Sequence, residues 1–395
     1  MRWHSAAIAA SAAWLLLAGA ARAGELRGLW VVRTGLTSPE EIDRVVDRAA
    51  EAGLNALFLQ VRGRGDAFYA SKLQPRSRLL DGQPATWDPL EHAVARARTR
   101  GLAVHAWINV LLTGDFGLEL PSGHELVRHP EWVMVPRSAA ARALGAMPDA
   151  LRPIVRRGAR GGDAEGYYLS PSVPAVTEHL ASVVRELVSG YALDGLHLDF
   201  IRYPGPEYDY SRAALLAFRP NLAGRELLSA PDGDAEAWDQ KRRDAVTLLV
   251  GRLSAVAREV RPGILVSAAV VPVRATAVSH KFQDWPSWMS SGFLDAVCPM
   301  TYTTDDRLFR RQVQDARDVA GGRLAVWAGI GAYRLDANGV LGKLALARAA
   351  KVDGVILFSH ESLDRSHLRR LREAFLTEAP APASGSGTTS TSSGP

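Results

Sequence analysis

The chain has 395 residues, 47% of them hydrophobic and 23% charged, and a formal net charge of +5. That is globular composition with room for one large domain or two ordinary ones, and it excludes a wholly disordered or fibrous chain. The positive excess is small and has no Lys/Arg block, so nucleic-acid binding is not indicated. The N-terminus opens Met1-Arg2-Trp3-His4, runs apolar from Ala6 to Ala20 and reaches Ala21-Arg22-Ala23. A charged start, an apolar run and an Ala-x-Ala site predict a secretory leader cut after Ala23; the alternative, a membrane anchor, asks for a longer apolar run. Without Arg2 and Arg22 the remaining chain carries +3. No cysteine follows the cut, which argues against a lipoprotein, and the one cysteine, Cys298, reads as a buried free thiol. From 379 to 395 the composition turns to Pro/Ala and then Gly/Ser/Thr, a disordered tail.

Between the two ends the pattern alternates strand and helix. Leu26–Val32 is the first apolar run. Ser38-Pro39-Glu40-Glu41 then has the grammar of a helix start, a hydroxyl cap with proline in the first turn and glutamate three residues on, and Gly53 is its stop. Leu54–Val61 is strand two, Asp88-Pro89-Leu90-Glu91 repeats the cap grammar, Gly101 stops that helix, and Leu102–Asn109 is strand three. Residues 110–165 break the rhythm and are too long for an ordinary connection, so they read as a functional insertion over one end. Pro174–Ser189 is helical, and Asp194–Phe200 is strand four. A second long connection covers 202–236 and leads into a helix that runs to about Val260. Ile264–Val271, Ala296–Thr301, Leu324–Ile330 and Gly354–Phe358 are strands five to eight. Eight strands with intervening helices predict a (β/α)8 barrel over 24–378, with an open doubly wound sheet as the competitor.

In a barrel, function lies at the C-terminal strand ends. Strand four is the most informative: Gly195, His197 and Asp199 share one face, and Leu196, Leu198 and Phe200 share the other. Strand two ends Gln60-Val61-Arg62, with Asp66 and Tyr69 just beyond. Strand three presents His105, Trp107 and Asn109 on one face. After strand four come Arg202 and Tyr203, after strand six Tyr302 and Asp305, on strand seven Trp327, and after strand eight Glu361. Glycosidic cleavage needs two carboxyl groups. Asp199 is the best-placed single acid, against a salt-bridge role with Arg62 or Arg202. Glu361 and Asp305 are candidates for its partner, against helix caps or solvated loop acids. Asp66 in Arg64-Gly65-Asp66 either orders its turn or touches substrate. Strand five, Val266 to Pro272, carries no acid.

His105 and His197 on inward faces fit either neutral core groups or substrate contacts. No His-x-x-x-His or Cys/His spacing exists, so neither a metal nor a cofactor is expected. There is no Gly-x-Ser-x-Gly elbow and no phosphate-binding loop. Trp107, Trp285, Trp288 and Trp327 could wall sugar subsites or pack the core.

The stretches Arg27-Gly-Leu-Trp30, Asn55 to Arg62, Gly65 to Ser71, His105-Ala-Trp-Ile-Asn109, His129-Pro-Glu-Trp132, Tyr191 to Pro204, Asp295 to Tyr302 and Phe358-Ser-His-Glu-Ser362 resemble the family 10-like glycosyl hydrolases, a bacterial group with a (β/α)8 barrel. The strand-four motif is the most specific. The resemblance implies a secreted or periplasmic glycosidase acting on a cell-envelope glycan, a peptidoglycan strand or an amino-sugar exopolysaccharide; a monomer is expected. By position Asp199 matches the family's strand-four acid. Some relatives have two adjacent acids there, where this chain has Phe200. Gln60, Arg62, Asn109, Arg202 and Tyr302 would hold sugar hydroxyls or an acidic group. The rival expectation is an inactive glycan-binding barrel that acts as an envelope scaffold.

Overall fold

The computed structural model describes residues 24–376. The expected leader, 1–23, and the tail, 379–395, lie outside the described residues. Eight parallel strands close a barrel: β1 Leu26–Val31, β2 Ala56–Arg62, β3 Ala103–Asn109, β4 Gly195–Asp199, β5 Leu265–Val270, β6 Ala296–Pro299, β7 Ala325–Gly331 and β8 Gly354–Phe358. Each strand pairs with its sequence neighbours, and β8 pairs back onto β1. The helices that follow the strands are α1 Pro39–Glu51, α2 Pro89–Thr99, α3 Pro174–Gly190, α4 Ala235–Val260, the short α5 Trp285–Ser290, α6 Asp306–Ala320, α7 Ala337–Ala349 and α8 Arg365–Leu376. Local chemistry sets their starts. The Ser38 side chain accepts from Glu41 N–H, and Asp88 accepts from Leu90 and Glu91 N–H, each ahead of a first-turn proline. Gly53 and Gly101 sit at φ 76° and 68°, where a side chain would strain the turn into the next strand.

Two cores follow from strand alternation. Outward residues such as Leu57, Leu59, Leu196, Leu198, Val266 and Ala268 pack beneath the helices. Inward residues, among them Trp30, Phe58, Trp107, Cys298, Trp327 and Ile356, fill the barrel. His105 and His197 belong to that interior. The His105 ring stacks on Phe58 at 4.4 Å, and a Cβ at Gly195 would come 2.1 Å from His105 Nδ1, so only glycine lets this ring pass. His197 Nε2 accepts from the Trp30 indole N–H at 3.0 Å, and Nδ1 faces Ser267 Oγ at 2.9 Å, which suits a neutral ring. Trp327 sits edge-on to Phe58 and His105. Trp285 and Trp288 are wholly buried under the helices. These rings pack the core.

The long insertion is fastened by one buried network. Arg62 and Glu125 are paired with side chains 0% and 1% exposed. Arg62 also donates to Gln74 at 3.0 Å and to the Asn109 carbonyl, while Glu125 receives Gln74 Nε2 at 2.8 Å and faces His179 Nε2 at 2.9 Å. Burial alone would raise the Glu125 carboxyl; the Arg62 guanidinium, the His179 hydrogen bond and His124 outweigh it and hold it well below the usual range. Gly65, at φ 69°, lets the loop after β2 pass within 2.4 Å of His124 Nε2, measured from a Cβ position. Arg62 was expected to hold substrate; it is instead consumed by this anchor. The second insertion is tied to the first. Asp209, fully buried, accepts from Val135 N–H at 2.9 Å and from Ser211 N–H at 2.8 Å, and Arg242 donates to the Pro206 and Tyr208 carbonyls.

Two predictions follow from these buried groups. Arg62→Met strands a buried carboxylate and should cost about 3–5 kcal/mol, lowering Tm by about 5 °C in a chain of this size. Arg62→Met with Glu125→Met together should restore most of it, a comparison that calorimetry resolves. Burial lowers the His105 pKa to about 4, whereas the unfolded ring titrates near 6.5. The unfolded chain therefore takes up a proton that the fold refuses. Stability is full above pH 6.5 and drains by about 3 kcal/mol toward pH 4. His105→Gln should flatten the Tm–pH curve across that window by a corresponding amount.

Candidate active site

The site is built on the C-terminal end of β4. Asn109 and Asp199 are register partners on β3 and β4. The chain leaves β4 through Phe200 at φ 48°, a left-handed turn that costs a bulky residue about 1–3 kcal/mol and signals a functional constraint. That turn folds Phe200 N–H back onto Asp199 Oδ1 at 2.6 Å. Arg202 Nη1 stands 3.4 Å from the same oxygen, and its guanidinium lies 4.3 Å over the Phe200 ring. The Trp107 indole N–H has no hydrogen-bond partner of good geometry, yet it leans toward Asp199 closely enough to favour its charged form. Asp199 is 7% exposed. Burial raises its carboxyl pKa, and Arg202, the Phe200 N–H and Trp107 pull the other way without cancelling the rise.

Asp199 reaches across the barrel mouth to β6. Burial, and then the Asp199 charge, push both the Cys298 thiol and the Tyr302 phenol well above their ordinary values. Tyr302 stacks on Phe358 with centroids 5.3 Å apart, Tyr333 meets both rings edge-on at 6.1 Å, and Trp107 lies 6.4 Å from Phe358. Tyr333 is 54% exposed, so the wall extends from the barrel interior out to solvent. Aromatic faces beside a buried carboxyl and a guanidinium suit a sugar ring, whose C–H surfaces stack and whose oxygens accept protons.

The structure brings together Asp199, Arg202, Trp107 and Tyr302. Gln60 and Asn109 lie directly beneath the rim and are engaged with each other at 3.2 Å; Gln60 also accepts Arg33 N–H, and Asn109 donates to the Gly63 carbonyl. Their role is to fix the loop after β2. Asp66 orders its own turn by accepting Arg64 N–H at 2.9 Å. Tyr203 is fully buried against Phe282. Both acids expected as partners are engaged by other groups. Asp305 caps α6 by accepting Arg307 and Leu308 N–H, which lowers its pKa. Glu361 accepts from Thr34 after β1, on the β8–β1 wall of a barrel whose β4 lies between β3 and β5. Sequence reasoning passed over Tyr333, although it follows strand seven directly. It also passed over Glu165, Lys281 and Arg64, whose positions no periodicity reveals.

Comparison with known proteins agrees with the barrel. Residues 25–340 match the sequence model of the family described as glycosyl hydrolase-like 10. Glycosyl hydrolase DigH of Escherichia coli K12 is 25% identical over 281 residues, 66% of this chain and 57% of that protein. Glycosyl hydrolase YngK of Bacillus subtilis is 24% identical over 315 residues, 70% and 54% respectively. The chain thus matches little more than half the length of these relatives. Among solved structures, the PgaB (BpsB) glycoside hydrolase domain from Bordetella bronchiseptica superposes with a TM-score of 0.67 at 16% identity, covering 89% of this chain and 99% of that one. The catalytic domain of β-amylase from Paenibacillus polymyxa gives 0.58 at 12% identity, covering 91% and 100%. At these identities the structural likeness establishes the barrel; the family match over 25–340 goes further, and by it this chain belongs to the glycosyl hydrolase-like 10 family.

Proposed function

We propose that this protein is a metal-independent glycoside hydrolase that cleaves a bacterial cell-envelope glycan, a peptidoglycan strand or an amino-sugar exopolysaccharide, outside the cytoplasm. The observation that carries the reading is the Asp199 carboxyl: buried at the end of β4, raised in pKa by that burial, and faced by an aromatic wall. A carboxyl that keeps its proton above the ordinary aspartate range can donate it to a glycosidic oxygen, the step that makes a sugar alkoxide a leaving group. Arg202 beside it stabilises the carboxylate left after that transfer, at a cost to the acid form that burial overrides. Trp107, Tyr302 and Phe358 would hold the sugar ring against the carboxyl. The leader-like residues 1–23 support an envelope or secreted location.

One observation favours the rival reading of a glycan-binding barrel without activity. Phe200 stands where some relatives carry a second acid, and Asp305 is engaged as a helix cap and Glu361 with Thr34. Turnover separates the two. Purified protein is incubated with denuded peptidoglycan strands and with partly deacetylated poly-glucosamine, beside Asp199→Asn. The expected result is release of oligosaccharides from one of them by wild type, a rate that falls on its alkaline side as Asp199 loses its proton, and a loss of about 10²–10⁴-fold in Asp199→Asn with Tm retained. Binding without release by both proteins would establish the scaffold instead.

A further inference from the structure

A glycosidase needs a second carboxyl, and its place is marked by how the first insertion closes over the mouth. After β3, Val110 N–H donates to the Asp199 carbonyl at 2.7 Å and Leu111 N–H to the Phe200 carbonyl at 3.3 Å, so the insertion starts alongside the end of β4. Its far end returns to the same place. Tyr167–Tyr168 pairs antiparallel with Leu112–Gly114, Leu169 N–H donates to the Leu111 carbonyl at 2.8 Å, and the Tyr168 ring lies 6.3 Å from that of Phe200. Just upstream, Asp163 stands 4.0 Å from Lys281 on the loop after β5, and the Lys281 ammonium donates to the Pro204 carbonyl. Residues 163–168 therefore bridge the loop after β5 and the turn after β4, with Glu165 between the two fixed points.

Glu165 differs from the acids at Asp115, Asp66 and Asp199. Asp115 is paired with Arg64, and Asp66 with its own turn. Asp199 has Arg202 and Phe200 N–H. Among the described residues, the Glu165 carboxylate has no hydrogen bond or ion pair, although Arg202, Arg64 and Lys281 all act on it electrostatically, as does Asp199. Its side chain is exposed while burial on the protein side still raises its pKa. A carboxylate held near three cations, spent on none of them, and open to water is what an attacking water requires.

We propose that Glu165 is the second catalytic carboxyl, the base that activates water while Asp199 acts as acid; this rests on the glycosidase reading above. Asp199 gives its proton to the glycosidic oxygen as the C1–O bond breaks. Water adds its oxygen to C1 from the opposite side, and its proton passes to Glu165. One water is consumed, the anomeric centre inverts, and the proton on Glu165 returns to Asp199 through solvent. The roles follow from access: Asp199 is buried, where its charged form is disfavoured, and the exposed Glu165 meets the water.

The test uses the full chain on whichever of the two glycans the wild type cleaves. Glu165→Gln should lower kcat about 10²–10⁴-fold with KM within a few-fold. Asp149→Asn, an exposed change elsewhere in the insertion, should leave turnover alone. Azide supplied to Glu165→Ala should restore cleavage and yield a glycosyl azide, because a small anion needs no base; a structural role for Glu165 would give no such product. Turnover of Glu165→Gln within about threefold of wild type, or a loss that azide fails to rescue, overturns the assignment while leaving the glycosidase reading standing. No turnover by wild type on either glycan overturns both.

Discussion

The mouth of this barrel depends on a charge that never reaches it. Arg62 ends β2 wholly inside the protein, and its guanidinium is satisfied by Glu125, Gln74 and the Asn109 carbonyl. Breaking such a pair strands an ion in a low dielectric, so the insertion that carries Glu125 is held to the barrel rim far more firmly than loop contacts alone would hold it. The same bonds fix the end of β3, where Asn109 stands in register with Asp199. Through Glu125 the anchor extends to His179 on α3, the helix that feeds β4. A pair inside the core thereby sets both the strand that presents the acid and the segment that covers it.

Above that anchor the chemistry is one of contrasting environments. Asp199 is buried, so its charged form is disfavoured even with Arg202 at 3.4 Å. Its surroundings are aromatic on the β6–β8 side and cationic on the side of the first insertion. Phe200 contributes to both. Its left-handed turn points its own amide at Asp199, and its ring supports the Arg202 guanidinium. An aspartate at that position would lose the platform, and the second negative charge would have to be carried elsewhere.

Fold and site were unequally legible in the sequence. All eight strands were readable because apolar runs of the right length lay between helix starts with explicit cap chemistry, Ser38 and Asp88 being the clearest. Asp199 could be found because it closes a strand whose alternation assigns it to the inner face. Arg62 and His105 share that inward pattern, and alternation does not distinguish an inner face at the mouth from one deep in the barrel or under an insertion. Arg62 thus proved to be an anchor and His105 a core ring. Glu361 and Asp305 were plausible by order along the chain, but one is held by Thr34 and the other caps α6. Glu165 was invisible for a physical reason. It sits 34 residues before Asp199 in an aperiodic insertion, and only the pairing of Tyr167–Tyr168 with Leu112–Gly114 returns it to the mouth.

The central claim is that burial holds the Asp199 carboxyl above the ordinary aspartate range and that Glu165 stands close enough for the two carboxyls to act on each other. Carbon-13 NMR titration of aspartate-labelled protein, with the Asp199 signal assigned by its absence in Asp199→Asn, measures this directly. The account predicts that Asp199 titrates above the ordinary aspartate value of 3.8 and that Glu165→Gln, by removing a neighbouring negative charge, moves it down. An Asp199 that titrates at or below 3.8, unmoved by Glu165→Gln, would contradict it.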